Sequence, residues 1–167
     1  MNACVLDLFL AGTETTASTN MWGILFFLQH QDVQEKIYEE LCSSGKTVTF
    51  DNRSSFPYTC AVICEIHRHA SVAKTAIPRK ATKDIPINGL VIPKDSVIIA
   101  NLLRIHHDET KWSANDTFDP DRFYDPQRRI CLSDPNVMPF GCGKRQCLGK
   151  AMAEKQLLLF VTRSEEH

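Results

Sequence analysis

The chain has 167 residues, a formal net charge of −1 and 43% hydrophobic residues, enough for one domain with a core of its own. That near-neutral balance argues against a nucleic-acid binder working through a basic surface, and no collagen-like, coiled-coil, low-complexity or repeated segment is present. Seven cysteines, at positions 4, 42, 60, 64, 131, 142 and 147, are odd in number and irregular in spacing, which favours reduced thiols facing the cytosol over a secreted disulfide framework.

Met1 leads directly into helical apolar periodicity with no cap signal before it. The opening MNACVLDLFLAGTETTAS lacks the positive segment of a signal peptide, and Asp7 breaks its apolar run. Residues 3–41 predict helix in two pieces: Val5, Leu6, Phe9 and Leu10 form one stripe and Ile24, Leu25, Phe27 and Leu28 another. Between them AGTETT, residues 11–16, is poor helix material. The run MWGILFFL at 21–28 is too short for a membrane span and reads as a buried helix. After His30 the pattern DVQEKIYEEL turns amphipathic, and residues 43–55 read as polar loop.

Pro57 suits the first turn of a second helical region, which YTCAVICEIHRHA carries to about residue 70. From 76 to 100 the apolar period shortens toward two, and Asn88-Gly89 between alternating residues is a strong hairpin signal. A short helix is expected over 101–107, then a long ordered loop rich in Asp, Pro and Asn over 108–139, then a last helix starting near Cys147. The expected class is mainly α, as α+β with helix dominant.

Four stretches can carry chemistry. In AGTETT, the Thr15 hydroxyl can turn back to the carbonyl of residue 11, loosening the helix ladder and bending its axis. Glu14 beside it suggests a cavity, although for this motif alone a slightly irregular surface helix is the favoured reading. In EIHR, Glu65 and Arg68 share a helical face at i, i+3. Exposed, such a pair contributes about 0.5 kcal/mol or less; flanked by Val62, Ile63, Cys64 and Ile66 it can be buried, and then needs further partners. TFDPDRF offers one of these, Arg122.

FGCGKRQCLG, residues 140–149, places Cys147 after two cations and ahead of a helix, both of which lower a thiol's pKa. Gly141 and Gly143 permit a tight turn and close approach to a flat partner. Taken alone, Cys147 is a metal-binding thiolate, half of a redox pair with Cys142, or an inert residue in a glycine turn. A Cys/His zinc module is a remote alternative, because the usual ligand spacing is missing.

In this order AGTETT, EIHR, FDPDRF and FGCGKRQCLG resemble the signature of the haem-thiolate monooxygenases, the cytochrome P450 family. The last motif matches F-G-x-G-x-R-x-C-x-G at Phe140, Gly141, Gly143, Arg145, Cys147 and Gly149. The run FPYTCAVICEIHR followed by HASVAK is similar to the microsomal, drug- and fatty-acid-metabolising branch (family two and relatives).

The resemblance implies that Cys147 is the proximal thiolate ligand of the iron of haem b, with Phe140 packed near the sulfur and Arg145 on a propionate. Arg79 implies a second propionate partner. Glu65, Arg68 and Arg122 imply a buried ion network on the proximal face. Thr15 and Glu14 imply a proton route to dioxygen on the distal side, with Ala11 and Gly12 lining the oxygen groove, and residues 73–78 imply a substrate-contacting segment. Cys142 falls on a variable position.

The implied reaction inserts one oxygen atom of O2 into a small lipophilic substrate, using NADPH-derived electrons from an NADPH-cytochrome reductase. Lys144 and Lys150 are placed to attract such an acidic partner. The implied location is the cytosolic face of the endoplasmic reticulum membrane.

Both ends of the sequence look cut: the family's membrane anchor, other haem-facing helices and final sheet are not represented, and the TRSEEH ending is polar. The expectation is therefore part of a cytochrome P450 domain over 1–167, without a complete independent domain. A non-catalytic, truncated haem-binding product is the alternative to an active monooxygenase. Apolar faces on residues 5–28 and 148–161 are expected to be exposed, with association and weak haem binding as consequences.

Overall fold

The computed structural model describes residues 2–164; Met1 and residues 165–167, half of the polar TRSEEH ending, lie outside the described residues. Helices α1 (Asn2–Gln29), α2 (Gln31–Ser44) and α3 (Pro57–Ala70) come first. Four short strands follow, β1 (Arg79–Lys80), β2 (Ile85–Ile87), β3 (Leu90–Ile92) and β4 (Val97–Ile98). Then come α4 (Leu102–His106), a hairpin of β5 (Tyr124–Asp125) and β6 (Ile130–Cys131), and α5 (Lys150–Ser164). The class is the helix-dominant α+β arrangement expected from the apolar periods.

Helix α3 is the centre of the molecule and packs against α1, α2, α5 and the β5–β6 hairpin. Its sequence explains the position, since Tyr58, Ala61, Val62, Ile63, Ile66 and Ala70 are all buried, on more than one side of the helix. The main core joins them to Phe26 and Phe27 of α1, Val33 and Ile37 of α2, and Leu157, Leu158 and Val161 of α5. Phe118 closes it by stacking on Phe26 at a ring distance of 4.4 Å. Ala61, Trp112 and Phe123 form a smaller cluster on the far side of α3.

Three expectations are corrected. AGTETT does not interrupt the first helix, which breaks only at His30. The hydroxyls of Thr13, Thr15 and Thr19 donate to the carbonyls four residues back at 2.6, 2.7 and 2.8 Å, so the polar groups are satisfied inside the helix. MWGILFFL is not buried all round, because Gly23, Phe26 and Phe27 face the core while Met21, Ile24 and Leu28 are exposed. The apolar face of 148–161 is exposed only at its start: Leu148 and Met152 are open, but Leu157, Leu158 and Val161 reach the core.

The strands pair in antiparallel twos, β1 with β4, β2 with β3 and β5 with β6. Asn88-Gly89 makes the expected hairpin, with Ile87 opposite Leu90. The 108–139 stretch is less irregular than its composition suggests. Asp119 accepts the amide of Asp121 and caps a 3-10 turn at Pro120–Phe123, and the β5–β6 hairpin follows at once. No described helix is long and apolar enough to cross a membrane.

Candidate cofactor-binding site

Glu65 and Arg68 are both fully buried, and α3 brings them face to face. Arg68 donates to both carboxylate oxygens, through Nε at 2.7 Å and Nη2 at 2.8 Å. Its three other N–H groups reach the carbonyls of His106 at 2.8 Å, Asn115 at 3.0 Å and Thr117 at 3.3 Å. All five donors of the guanidinium are therefore used. Glu65 also accepts from the Asp119 amide at 2.9 Å and from Arg122 Nε at 3.3 Å. Arg122 in turn holds the carbonyls of Ser113, Ala114 and Thr117. Two cations thus surround one carboxylate and tie down the loop carbonyls, which compensates for removing these charges from water.

A second connection runs from α3 toward the cysteine loop. Met138 N–H donates to Nε2 of buried His106 at 3.0 Å, which leaves Nδ1 as the protonated nitrogen, 2.7 Å from Ser71 Oγ. Ser71 caps α3 in a left-handed conformation and donates to the Arg68 carbonyl at 2.7 Å. Burial pushes the His106 pKa down to about 4, so the imidazole is neutral at pH 7. Nearby, the His67 ring meets the edge of Phe140 at 5.1 Å, its Nε2 is buried without a hydrogen bond, and burial lowers its pKa to about 4.

The loop these contacts support is a tight turn. Gly141 and Gly143 both have φ of +68°, a region L side chains rarely adopt, and a Cβ at either would meet nothing within 4 Å. Cys147 N–H donates to the Phe140 carbonyl at 2.9 Å, closing the turn, and Gly149 lies just before α5 with its carbonyl accepting from Ala153. The Cys147 thiol is free and exposed, and Leu148 beside it is 91% exposed. Arg145 and Arg79 are exposed and form no ion pair among the described residues.

Ala11, Gly12, Glu14 and Thr15 lie on an exposed part of α1, with open space around Gly12. The Thr15 hydroxyl is bonded to Ala11, and no hydrogen bond or ion pair joins these residues to the cysteine loop. Glu14 therefore stands on an open helix surface and not in an enclosed cavity. Cys142 is free and exposed. Among the described residues no three His, Cys, Asp or Glu side chains are grouped to hold a metal ion, which leaves the zinc module without a ligand set.

The family model for Cytochrome P450 matches residues 1–164. The chain belongs to the cytochrome P450 family. It is 38% identical to cytochrome P450 2J2 of Homo sapiens over 160 residues, covering 94% of this chain and 32% of that protein. It is 39% identical to the steroid 21-hydroxylase of Mus musculus over 162 residues, covering 95% and 32%. With cytochrome P450 2K6 of Danio rerio it shares 36% over 160 residues, again 95% and 32%. The chain thus spans about a third of the length of these cytochrome P450 relatives.

Sequence reasoning anticipated the ion network but missed Glu40, His106 and Ser71. Glu40 was findable in principle: Phe56 precedes the Pro57 helix and has no capping side chain, so the helix start needs an acceptor from elsewhere. His106 and Ser71 carry no such signal, because their partners are 32 and 35 residues from His106 along the chain.

Proposed function

We propose that this chain carries the thiolate-bearing part of a cytochrome P450 haem site, in a protein that hydroxylates small lipophilic substrates. The observation that carries the proposal is the folded 140–149 loop: a free, exposed Cys147 sulfur beside two glycines in left-handed conformation, held by Phe140. A soft sulfur donor, glycine-lined open space and unpaired cations nearby fit a flat, anionic, iron-containing macrocycle. Haem b, when bound, supplies the one-electron and dioxygen chemistry.

In this reading Cys147 would hold the iron through its thiolate, and Phe140, packed against His67, would limit movement of the turn. Arg145 and Arg79 supply positive charge for carboxylate groups of the cofactor. Gly141, Gly143 and Gly149 keep the backbone low beside the ring. Glu65, Arg68 and Arg122 are positioning residues that fix the loop preceding the ligand turn. Thr15 and Glu14 on α1 would hold and pass protons to the bound cofactor, with Ala11 and Gly12 leaving room for oxygen.

NADPH-derived electrons would come from a flavoprotein reductase attracted to Lys144 and Lys150, and the whole protein would act at the cytosolic face of the endoplasmic reticulum membrane. The hydroxylase named among the relatives supports an oxygen-inserting reaction on a lipophilic compound.

The test is a reduced, carbon-monoxide difference spectrum of the chain expressed with excess haem, beside Cys147→Ser. A strongly red-shifted Soret band that the serine variant loses supports the proposal. A band indifferent to the serine, or none, would remove the thiolate assignment from this chain.

A further inference from the structure

Outside the proposed haem loop, two sulfurs on different elements face each other. Cys64 on α3 and Cys131 at the end of β6 have Sγ atoms 4.0 Å apart, across 67 residues of sequence. Cys64 is the residue before Glu65. Neither thiol has a role in the proposed haem site.

We infer that Cys64 and Cys131 form a peroxide-sensitive dithiol that closes to a disulfide, fastening the β5–β6 hairpin to the helix that carries Glu65 and Arg68.

The surroundings assign different roles to the two sulfurs. Cys131 is half-buried and lies on a two-residue strand beside an exposed segment, so a small oxidant can reach it. Donation from Cys64 S–H lowers the Cys131 pKa below its ordinary value. The hydrogen bond to Cys131 and burial hold the Cys64 thiol well above the usual range. The exposed residues that follow Cys131 make it the sulfur a small oxidant meets first, with Cys64 on the enclosed helix resolving it, and exchanging the two roles gives the same disulfide. Cys60, one turn before Cys64, points its thiol at the Arg53 carbonyl at 3.4 Å and is pushed up to about 12 by burial. It is engaged elsewhere and a poor competitor.

The chemistry balances with one hydroperoxide per disulfide. The Cys131 thiolate attacks one peroxide oxygen, the O–O bond breaks, and hydroxide leaves and takes up a proton as water. Cys131 is then a sulfenic acid. The Cys64 sulfur attacks that sulfur, the S–O bond breaks, and the departing oxygen leaves as water with the Cys64 proton. Each sulfur loses one electron, and hydrogen peroxide is reduced to two waters. Closing the pair needs the sulfurs to approach to about 2 Å. The short hairpin can move toward α3 more easily than the buried helix can move toward it.

The test treats the purified full chain, in mild non-ionic detergent, with hydrogen peroxide. Remaining thiols are blocked, and the chain is digested with trypsin without reductant. Tryptic peptide 54–68 carries both Cys60 and Cys64, and peptide 130–144 carries both Cys131 and Cys142. A Cys60→Ser/Cys142→Ser background therefore makes the assignment unambiguous.

The expected result is a linked pair of these peptides, two hydrogens lighter than their sum. It is lost in Cys64→Ser and in Cys131→Ser, reduced severalfold when peroxide is added in concentrated urea, and reversed by dithiothreitol. A rise in Tm on oxidation, absent in both serine variants, is the second readout. Linkage of Cys131 mainly to Cys147 or another thiol would overturn the inference. So would accumulation of Cys131 sulfinic acid without a link, or equal yield in urea.

Discussion

Arg68 spends every donor it has, and that decides what its replacement does. Arg68→Ala leaves the fully buried Glu65 carboxylate short of a partner and frees the carbonyls of His106, Asn115 and Thr117, so the expected loss is about 3–5 kcal/mol. Arg68→Lys recovers little, because an ammonium cannot reproduce the two-pronged contact with Glu65 and three further bonds. Urea denaturation followed by Trp112 fluorescence checks this, since that ring lies 5.5 Å from the Arg68 guanidinium. A cost no greater than that of the exposed Lys36→Ala would contradict it.

The pair itself was legible in the sequence, from the i, i+3 spacing inside an apolar run. Its carbonyl partners were not, because a backbone oxygen leaves no mark on residue choice.

His67 and His106 set a pH dependence at the same scale. Burial lowers both from 6.5 to about 4 in the folded chain. Between those values the unfolded chain binds more protons, so stability is full above pH 6.5 and falls as pH drops toward 4. Each histidine contributes up to about 1.4 kcal/mol per pH unit across that window. Denaturation midpoints measured from pH 7.5 to 4.5 are expected to decline, and His106→Gln is expected to remove about half of the slope. An unchanged slope would mean His106 does not titrate as its surroundings require.

At the scale of elements, α3 begins without a capping residue of its own, and α2 supplies the missing acceptor. Buried Glu40 takes the amides of Tyr58 and Thr59, both at 2.8 Å, and the Thr59 hydroxyl at 2.7 Å. A carboxylate at a helix N-terminus also opposes the positive end of the helix dipole. Glu40→Ala is expected to cost about 1–3 kcal/mol and to speed hydrogen exchange at Tyr58 and Thr59 ahead of the rest of α3. Glu39→Ala, on the exposed side of the same helix, is expected to leave those amides unchanged. Exchange that rises uniformly along α3 would point to global destabilisation and not to a lost cap.

Periodicity located α2 and α3 well because each has one consistent environment. It misjudged α1, whose threonines bond within the helix and so do not break it. The small hairpin was legible from Asn88-Gly89 alone, whereas β5 and β6 were not, since two-residue strands carry too little pattern to stand out from a loop.

The whole molecule is asymmetric: α3 is enclosed on several sides, while the first half of α1 is covered by nothing among the described residues. Val5, Leu6, Leu8, Phe9 and Leu10 are each 57–67% exposed, and Leu148 and Met152 are open as well. This exposure was expected from the family resemblance and not from the apolar sequence of α1, whose MWGILFFL run read as a buried helix. The burial of Leu157, Leu158 and Val161 was not foreseen, because it depends on how α5 returns against α1 and α3. Apolar surface on this scale, at about 25 cal/mol per Å² when covered, drives self-association in water.

The purified chain is therefore expected to sediment as polydisperse assemblies in buffer and as a smaller species in non-ionic detergent. Leu6→Glu with Phe9→Lys is expected to shift the buffer distribution toward monomer. Because neither residue reaches the core, the urea midpoint in detergent should stay unchanged. Assemblies that persist in the double variant would place the associating surface elsewhere, with Leu148 and Met152 as the next positions to change. A monomeric parent chain would contradict the prediction, because the exposed apolar side chains of α1 would then not drive association in buffer. These assembly measurements also bear on the haem experiment. If the monomeric variant keeps the Cys147-dependent band, the thiolate site is built within one chain; if the band follows the assemblies, contact between copies is needed to form it.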